Sequence, residues 1–178
     1  MFYSRVLLKD ENEIKEYLQK NMYQKVSDFA FYDLIYINKN GNSITDDTLK
    51  IRVYQHNEWK NKSVLVILKR AIFTGNQKED KVLLREEFDD LNSAMRFVQE
   101  NYEDQYNFSF KLEKTGVQYQ TETVTIWLED IVDLGISIEI GSQNPETIHQ
   151  IIQQLDIVEK LEVSVPEYMY QKIINKKK

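Results

Sequence analysis

The sequence predicts an α+β fold, with about eight strands in a largely antiparallel sheet interrupted by a few helices. Two observations carry this. Apolar and polar residues alternate with a period of two along several stretches, as in "TLKIRVY" at 48–54 and "TVTIWLED" at 123–130, which is how a strand with one buried face reads. The helical patterns are few and do not follow every strand, so a doubly wound parallel sheet is disfavoured.

The opening "MFYSRVLL" reads as a short strand, and Asp10 followed by Glu13 starts a helix through about Met22 in the manner of a capping box. "FAFYDLIYI" is rich in aromatic and branched residues, as strands are, and "NKNGNSITDD" is a turn with its glycine at Gly41. In "TLKIRVY" the apolar set Leu49, Ile51 and Val53 alternates with Lys50 and Arg52, whereas "SVLVILKRA" is apolar on both faces until Lys69. After a polar loop around Gly75, "KVLLREEFD" is a strand feeding a helix from about Asp89 to Glu103, with Leu91, Met95, Phe97 and Val98 as its apolar face. "NFSFKLEKTGVQYQ" alternates through Phe108, Phe110 and Leu112 and leads into two further strands between Thr123 and Gly141. Asn144 and Pro145 supply a cap and a first-turn proline for a helix from about Glu146 to Leu155, and a last helix begins at Pro166. The lysines at 176–178 read as a frayed tail. No repeat, low-complexity segment or linker divides residues 1–178, which are expected to form a single domain.

Composition excludes several classes. Hydrophobic residues make up 42% and charged residues 29%, a globular balance rather than a disordered one. Without cysteine there is neither a disulfide nor a thiolate metal site, and two distant histidines, His56 and His149, do not make a zinc cluster. Any metal would therefore be bound by oxygen. No apolar run approaches membrane-spanning length, and the first residues lack the charged-then-apolar order of a secretory signal, so a cytoplasmic location is expected. A net charge of −6 argues against broad nucleic-acid binding, which needs a basic surface, but leaves room for a concealed basic pocket.

The stretch "TIWLEDIVDLGISIEIG", followed by a helix of glutamines and isoleucines, resembles the carboxy-terminal signature of the CYTH superfamily, the triphosphate tunnel metalloenzymes. That family includes thiamine triphosphatases, inorganic triphosphatases and class IV adenylate cyclases. Leu128, Glu129, Leu134, Gly135, Glu139 and Ile140 fit its late motif in order. Upstream, "LKIR" at 49–52 resembles the family's Leu-Arg-Ile-Arg strand, "VILK" ending at Lys69 its Thr-Leu-Lys strand, and "REE" at 85–87 its Arg-x-Glu. Lys114 and Tyr119 align with a Lys-x-Arg-x-x-Tyr element, although Lys111 offers a competing register. The match spans most of the chain.

The resemblance implies an eight-stranded antiparallel β-barrel, the triphosphate tunnel, with flanking helices. It also implies that Lys50, Arg52, Lys69, Arg85 and Lys114 grip a triphosphate, a polyphosphate or a nucleotide. Three linked phosphoryl groups carry several negative charges, so a cavity that binds them needs cations converging from several strands. Glu87, Glu129 and Glu139 are the implied ligands of Mg2+ or Mn2+, and no catalytic residue is assigned. The expected activity is metal-dependent phosphohydrolysis, in which metal and cations spread charge over the transferring phosphoryl group.

Three departures bear on that activity. The family's amino-terminal Glu-x-Glu-x-Lys corresponds here to "MFYSRVLLK", which has no acid in any register; Arg5 stands in for the lysine if the register slips by one. Gly141 replaces the last acid of Glu-Ile-Glu, and Gly116 replaces the arginine of Lys-x-Arg. These losses weaken metal binding more than anion binding, because a hard dication needs anionic oxygens whereas phosphate needs donors. A degenerate metal site is expected, with a catalytically inactive barrel serving as an interaction module as the alternative. Cyclisation ranks below hydrolysis because fewer metal ligands remain.

Each site residue also has a plainer role. Lys50 and Arg52 suit the wet face of a half-exposed strand, Lys69 a strand end, and Arg85 and Glu87 a surface pair. Glu139 suits a solvent-facing position, and Glu129 and Asp130 suit loop charges. His56 and His149 are read as bystanders.

Overall fold

The computed structural model describes residues 1–39, 47–57, 64–74 and 77–176. The turn expected at Gly41, the loop around Gly75, the side chain of His56 and the end of the lysine tail lie outside the described residues. In chain order the elements are β1 (Phe2–Leu8), α1 (Asn12–Lys20), β2 (Gln24–Asn38), β3 (Asp47–Asn57), β4 (Val64–Thr74), β5 (Gln77–Phe88), α2 (Leu91–Tyr102), β6 (Tyr106–Gln120), β7 (Val124–Ile131), β8 (Gly135–Ser142), α3 (Pro145–Ile152), β9 (Ile157–Leu161) and α4 (Val165–Lys176). The strands make one sheet in the order β5-β4-β3-β2-β6-β7-β8-β1-β9. The pairs β1–β8, β1–β9, β3–β4, β4–β5, β6–β7 and β7–β8 are antiparallel, as the α+β reading requires. The ninth strand was not expected: β9 is five residues long and buries little besides Leu161, so it shows no alternation.

Two compact units share this sheet, and β2 and β6 contribute to both. The first comprises Met1–Ala30 with Lys114–Ser164, the second Phe31–Glu113 with Val165–Lys178. In the first, Val6 and Leu8 of β1, Val124, Ile126 and Leu128 of β7, and Ile138 and Ile140 of β8 share one core with Ile14 and Leu18 of α1 and Ile148 and Ile151 of α3. The capping box at α1 is not made. Asp10 instead accepts the backbone N–H of Asn12 at 2.8 Å, and Glu13 reaches the N–H of Asp156 at 2.8 Å. The cap of α3 is as expected, with the Asn144 side chain accepting the Glu146 N–H at 3.0 Å and Pro145 in the first turn. Between β7 and β8 the chain reverses through Asp133 at φ 65° and Gly135 at φ 96°, and the latter is a conformation that glycine adopts without strain.

In the second unit Leu49 and Ile51 of β3 and Val64 and Val66 of β4 pack with Ala94 and Val98 of α2 and with Tyr106. Helix α2 starts at Leu91 rather than Asp89 because Asp90 is its cap, accepting the Ser93 N–H at 2.8 Å. Its buried stripe runs through Ala94, which leaves Met95 exposed. Among the described residues, no helix is long and apolar enough to cross a membrane.

Candidate functional site

Every strand that gives one face to an apolar core gives the other to different residues, and in both units that second face carries ionic residues, set in the second unit among the buried Leu65, Ile67, Phe31, Ile35 and Ile37. In the second unit, residues paired across antiparallel strands share a face. Lys50 of β3 lies opposite Ile67 of β4, which lies opposite Arg85 of β5. Arg52 aligns in the same way with Leu65 and Glu87, and Lys69 lies opposite Thr48. Lys50, Arg52, Lys69, Arg85 and Glu87 thus share the sheet face opposite the Leu49–Val64–Ala94 core. Arg85 and Glu87 are exposed, and Lys69 is half-buried.

The centre of this face is Asp33 of β2, only 1% exposed. Its carboxylate accepts from Lys50 Nζ at 2.9 Å, and from Arg52 Nε and Nη2 at 2.7 and 2.8 Å. The Arg52 guanidinium lies 3.8 Å above the Phe31 ring, a cation–π contact that fixes its plane. Burial works to raise the Asp33 carboxyl, but Lys50 and Arg52 outweigh it and hold the group well below the usual carboxylate range. Burial lowers Lys50 to about 8; Asp33 opposes that fall, while Arg52 and Lys69 add to it. The field of Lys69 therefore reaches Lys50.

In the first unit the same construction gives a different balance. Arg5 of β1 lies opposite Glu139 of β8, and Glu129 of β7 lies opposite Ser137 of β8. One Arg5 nitrogen donates to Glu129 and to Ser137 Oγ at 3.1 Å, and the other contacts Glu139 at 2.9 Å. Lys114 Nζ lies 3.2 Å from the nearer oxygen of Glu129, which is 5% exposed. Burial pushes the Glu129 carboxyl up, but Lys114 and Arg5 leave it net below its ordinary value, while burial lowers Lys114 despite Glu129.

Of the expected phosphate grips, the structure brings Lys50, Arg52, Lys69 and Arg85 onto one face and places Lys114 in the ion cluster of the other unit. The competing Lys111 is exposed, paired with Glu113 and set over the Tyr32 ring. Of the expected metal acids, Glu129 and Glu139 answer Arg5, and Glu87 lies exposed on β5. Among the described residues no three acids or histidines gather as metal ligands. A dication at Glu129 would have to displace a guanidinium and an ammonium, so these residues do not fit a divalent metal.

The glycine departures have steric causes. A Cβ on Gly116 would stand 2.4 Å from the Leu128 carbonyl oxygen and 2.6 Å from Phe29 Cζ, and one on Gly141 would stand 2.9 Å from the Tyr3 ring. Tyr3, with Trp127 at 6.3 Å between centroids, fills with aromatic surface the region where the family motif carries an acid. His149 is exposed and contacts only Gln153 among the described hydrogen bonds. Sequence reasoning missed Asp33 and Ser137. Asp33 had a signal, since it is a lone acid on the parity of Phe31, Ile35 and Ile37, all of them buried.

No family profile and no curated protein matches the chain. Solved structures do. A protein from Pyrococcus horikoshii OT3 superposes with a TM-score of 0.71 at 20% identity, covering 96% of this chain and 99% of its own. HpAC1 from Hippeastrum, an adenylyl-cyclase candidate with a dominant triphosphatase activity, gives 0.58 at 13%, covering 85% and 83%. The chain has the CYTH-type fold. A chain of the Schizosaccharomyces pombe Mediator head module also superposes, giving 0.58 at 12% identity and covering 89% and 98%. At these identities the CYTH-type likeness establishes architecture and leaves activity to the side chains.

Proposed function

We propose that the protein binds a triphosphate-type polyanion, whether tripolyphosphate, an organic triphosphate or a nucleotide, on the cationic face of β3, β4 and β5, without needing a protein-held divalent metal. One observation carries this reading: among the described side chains, Lys50, Arg52, Lys69 and Arg85 share a single sheet face with the acids Asp33 and Glu87. A surplus of donors converging from adjacent strands suits linked phosphoryl groups. The triphosphatase activity of HpAC1 on the same fold supports the ligand class. Turnover is expected to be slow or absent, because two of the three acids that would hold Mg2+ or Mn2+, Glu129 and Glu139, are engaged by Arg5 and Lys114. Cyclisation of a nucleotide ranks lower for the same reason.

The test is calorimetric titration with tripolyphosphate, ATP and thiamine triphosphate, in chelator and then with manganese. Binding in chelator, weakening as salt rises, is expected. Failure of all three ligands to bind removes the proposal. A second reading is a non-catalytic interaction module, favoured by the internal pairing of both ionic clusters and supported by the Mediator subunit's use of the fold. Metal-dependent hydrolysis that disappears on Lys69→Ala or Glu139→Ala would discard that second reading.

A further inference from the structure

We infer that Asp33 is a resident anion that competes with the incoming polyanion for Lys50 and Arg52 and so sets which ligands this face accepts. The inference rests on the polyanion-binding reading above. An arginine fork and a lysine closing on one anionic group is how proteins grip a phosphoryl group. Here a carboxylate of the protein's own chain takes that place: Arg52 gives Nε and Nη2 to its two oxygens, and Lys50 adds a third donor at 2.9 Å. Phe31 under the guanidinium fixes the fork in the plane that serves Asp33, so the same fork cannot turn to a second anion while Asp33 holds it.

In this cluster two cations, Lys50 and Arg52, meet one acid, Asp33, and the field of Lys69 reaches Lys50. The excess positive charge favours an anion, and Asp33 reduces that excess by one charge. Its effect therefore grows with the charge of the ligand, being largest for tripolyphosphate and smallest for orthophosphate.

The experiment compares wild type with Asp33→Asn, which keeps the shape and removes the charge, by calorimetry in chelator at constant ionic strength with tripolyphosphate and orthophosphate. A gain of tenfold or more for tripolyphosphate, smaller for orthophosphate and lost again in Asp33→Asn/Arg52→Gln, is expected. If wild type binds and Asp33→Asn binds equally or more weakly, the competitor role is overturned and the proposed function stands. Binding by the variant alone keeps the competitor role and withdraws the proposed function; binding by neither removes both. Should Asp33→Asn melt without cooperativity, its melting with tripolyphosphate against sodium chloride of equal ionic strength is the readout. Recovery of a cooperative transition by tripolyphosphate alone supports competition, and no recovery overturns it.

Discussion

The two units solve one problem in opposite ways. Each gives one sheet face to branched aliphatic residues under helices and the other to ions. In the first unit two cations, Arg5 and Lys114, meet two acids, Glu129 and Glu139, and the account closes to neutrality. In the second, Lys50 and Arg52 meet Asp33, and two cations against one acid do not balance. On the proposed reading, charge balance rather than residue type separates an ionic cluster that holds the fold from one that takes a ligand. Both contain lysines and arginines at positions matching one family's phosphate grips, yet only in the second do the cations outnumber the acid they contact.

That contrast breaks first at Arg5. Arg5→Met leaves Glu129 buried with Lys114 as its remaining cation beside the Ser137 hydroxyl, and removing one member of a buried pair typically costs about 3–5 kcal/mol. Urea unfolding should show a loss of that order, with tripolyphosphate binding retained wherever the variant is folded. Restoring an apolar match in Arg5→Met/Glu129→Leu should recover most of the loss. If the single variant costs nothing, the first cluster is not the closed structural network described.

Next in size is Gly116→Ala. The new methyl meets the Leu128 carbonyl and the Phe29 ring, and overpacking of this kind costs about 1–3 kcal/mol. Because Gly116 is paired with Glu129, the variant should also disturb the first cluster, visible as a change in the acid limb of stability. Glu129 and Asp33 both have native carboxyl groups below their ordinary values, so each contributes stability that is complete above the unfolded value and lost as pH falls through the native one. Wild type should therefore lose stability in acid from below about pH 4.5, the ordinary value of Glu129. Gly116→Ala should shift that loss upward.

The binding side of the comparison is sharpened by Lys69→Met and Arg85→Gln. Each is expected to weaken tripolyphosphate about tenfold, near 1.4 kcal/mol, and to reduce the salt dependence of binding. Lys114→Met should instead appear mainly in stability, since Lys114 is 8% exposed and spends its charge on Glu129. Equal losses of affinity from Lys69→Met and Lys114→Met would erase the distinction between the two units.

Much of this was legible in the chain. Alternation in "TLKIRVY" placed Leu49 and Ile51 on one face and Lys50 and Arg52 on the other, and Asn144-Pro145 marked the start of α3. The spacing back from Glu129 picked out Lys114, which the structure buries against that same glutamate. What stayed hidden depends on residues distant in sequence. Nothing near Arg5 announces that β1 will lie beside β8 and set its guanidinium between Glu129 and Glu139. Asp33 had a local mark, a charge on an apolar parity, but its partners are 17 and 19 residues away on another strand. Strand β9 offered no period, since pairing with β1 rather than burial makes it a strand.

The smallest expected effect concerns Lys50 on the alkaline side, where Lys114, also lowered by burial, acts in the same direction. Burial lowers its native value to about 8 against 10.5 ordinarily, Asp33 only partly opposing this. Between those values the native chain has released the proton and the unfolded chain still holds it. The unfolded state then binds more protons, so stability rises with pH across that window. Below about pH 8 the cost of keeping a charged lysine buried is constant, and above 10.5 the gain is complete. Urea unfolding of wild type from pH 7.5 to 10 should show this rise, and Lys50→Met should reduce it whatever its absolute stability, Lys114 supplying the remainder. Tripolyphosphate affinity should fall over the same interval, because the lysine that loses its proton is one of the four cations on the binding face. A rise that Lys50→Met reduces, without that fall in affinity, would mean that Lys50 serves only Asp33 and that the ligand is held by the other cations of the face.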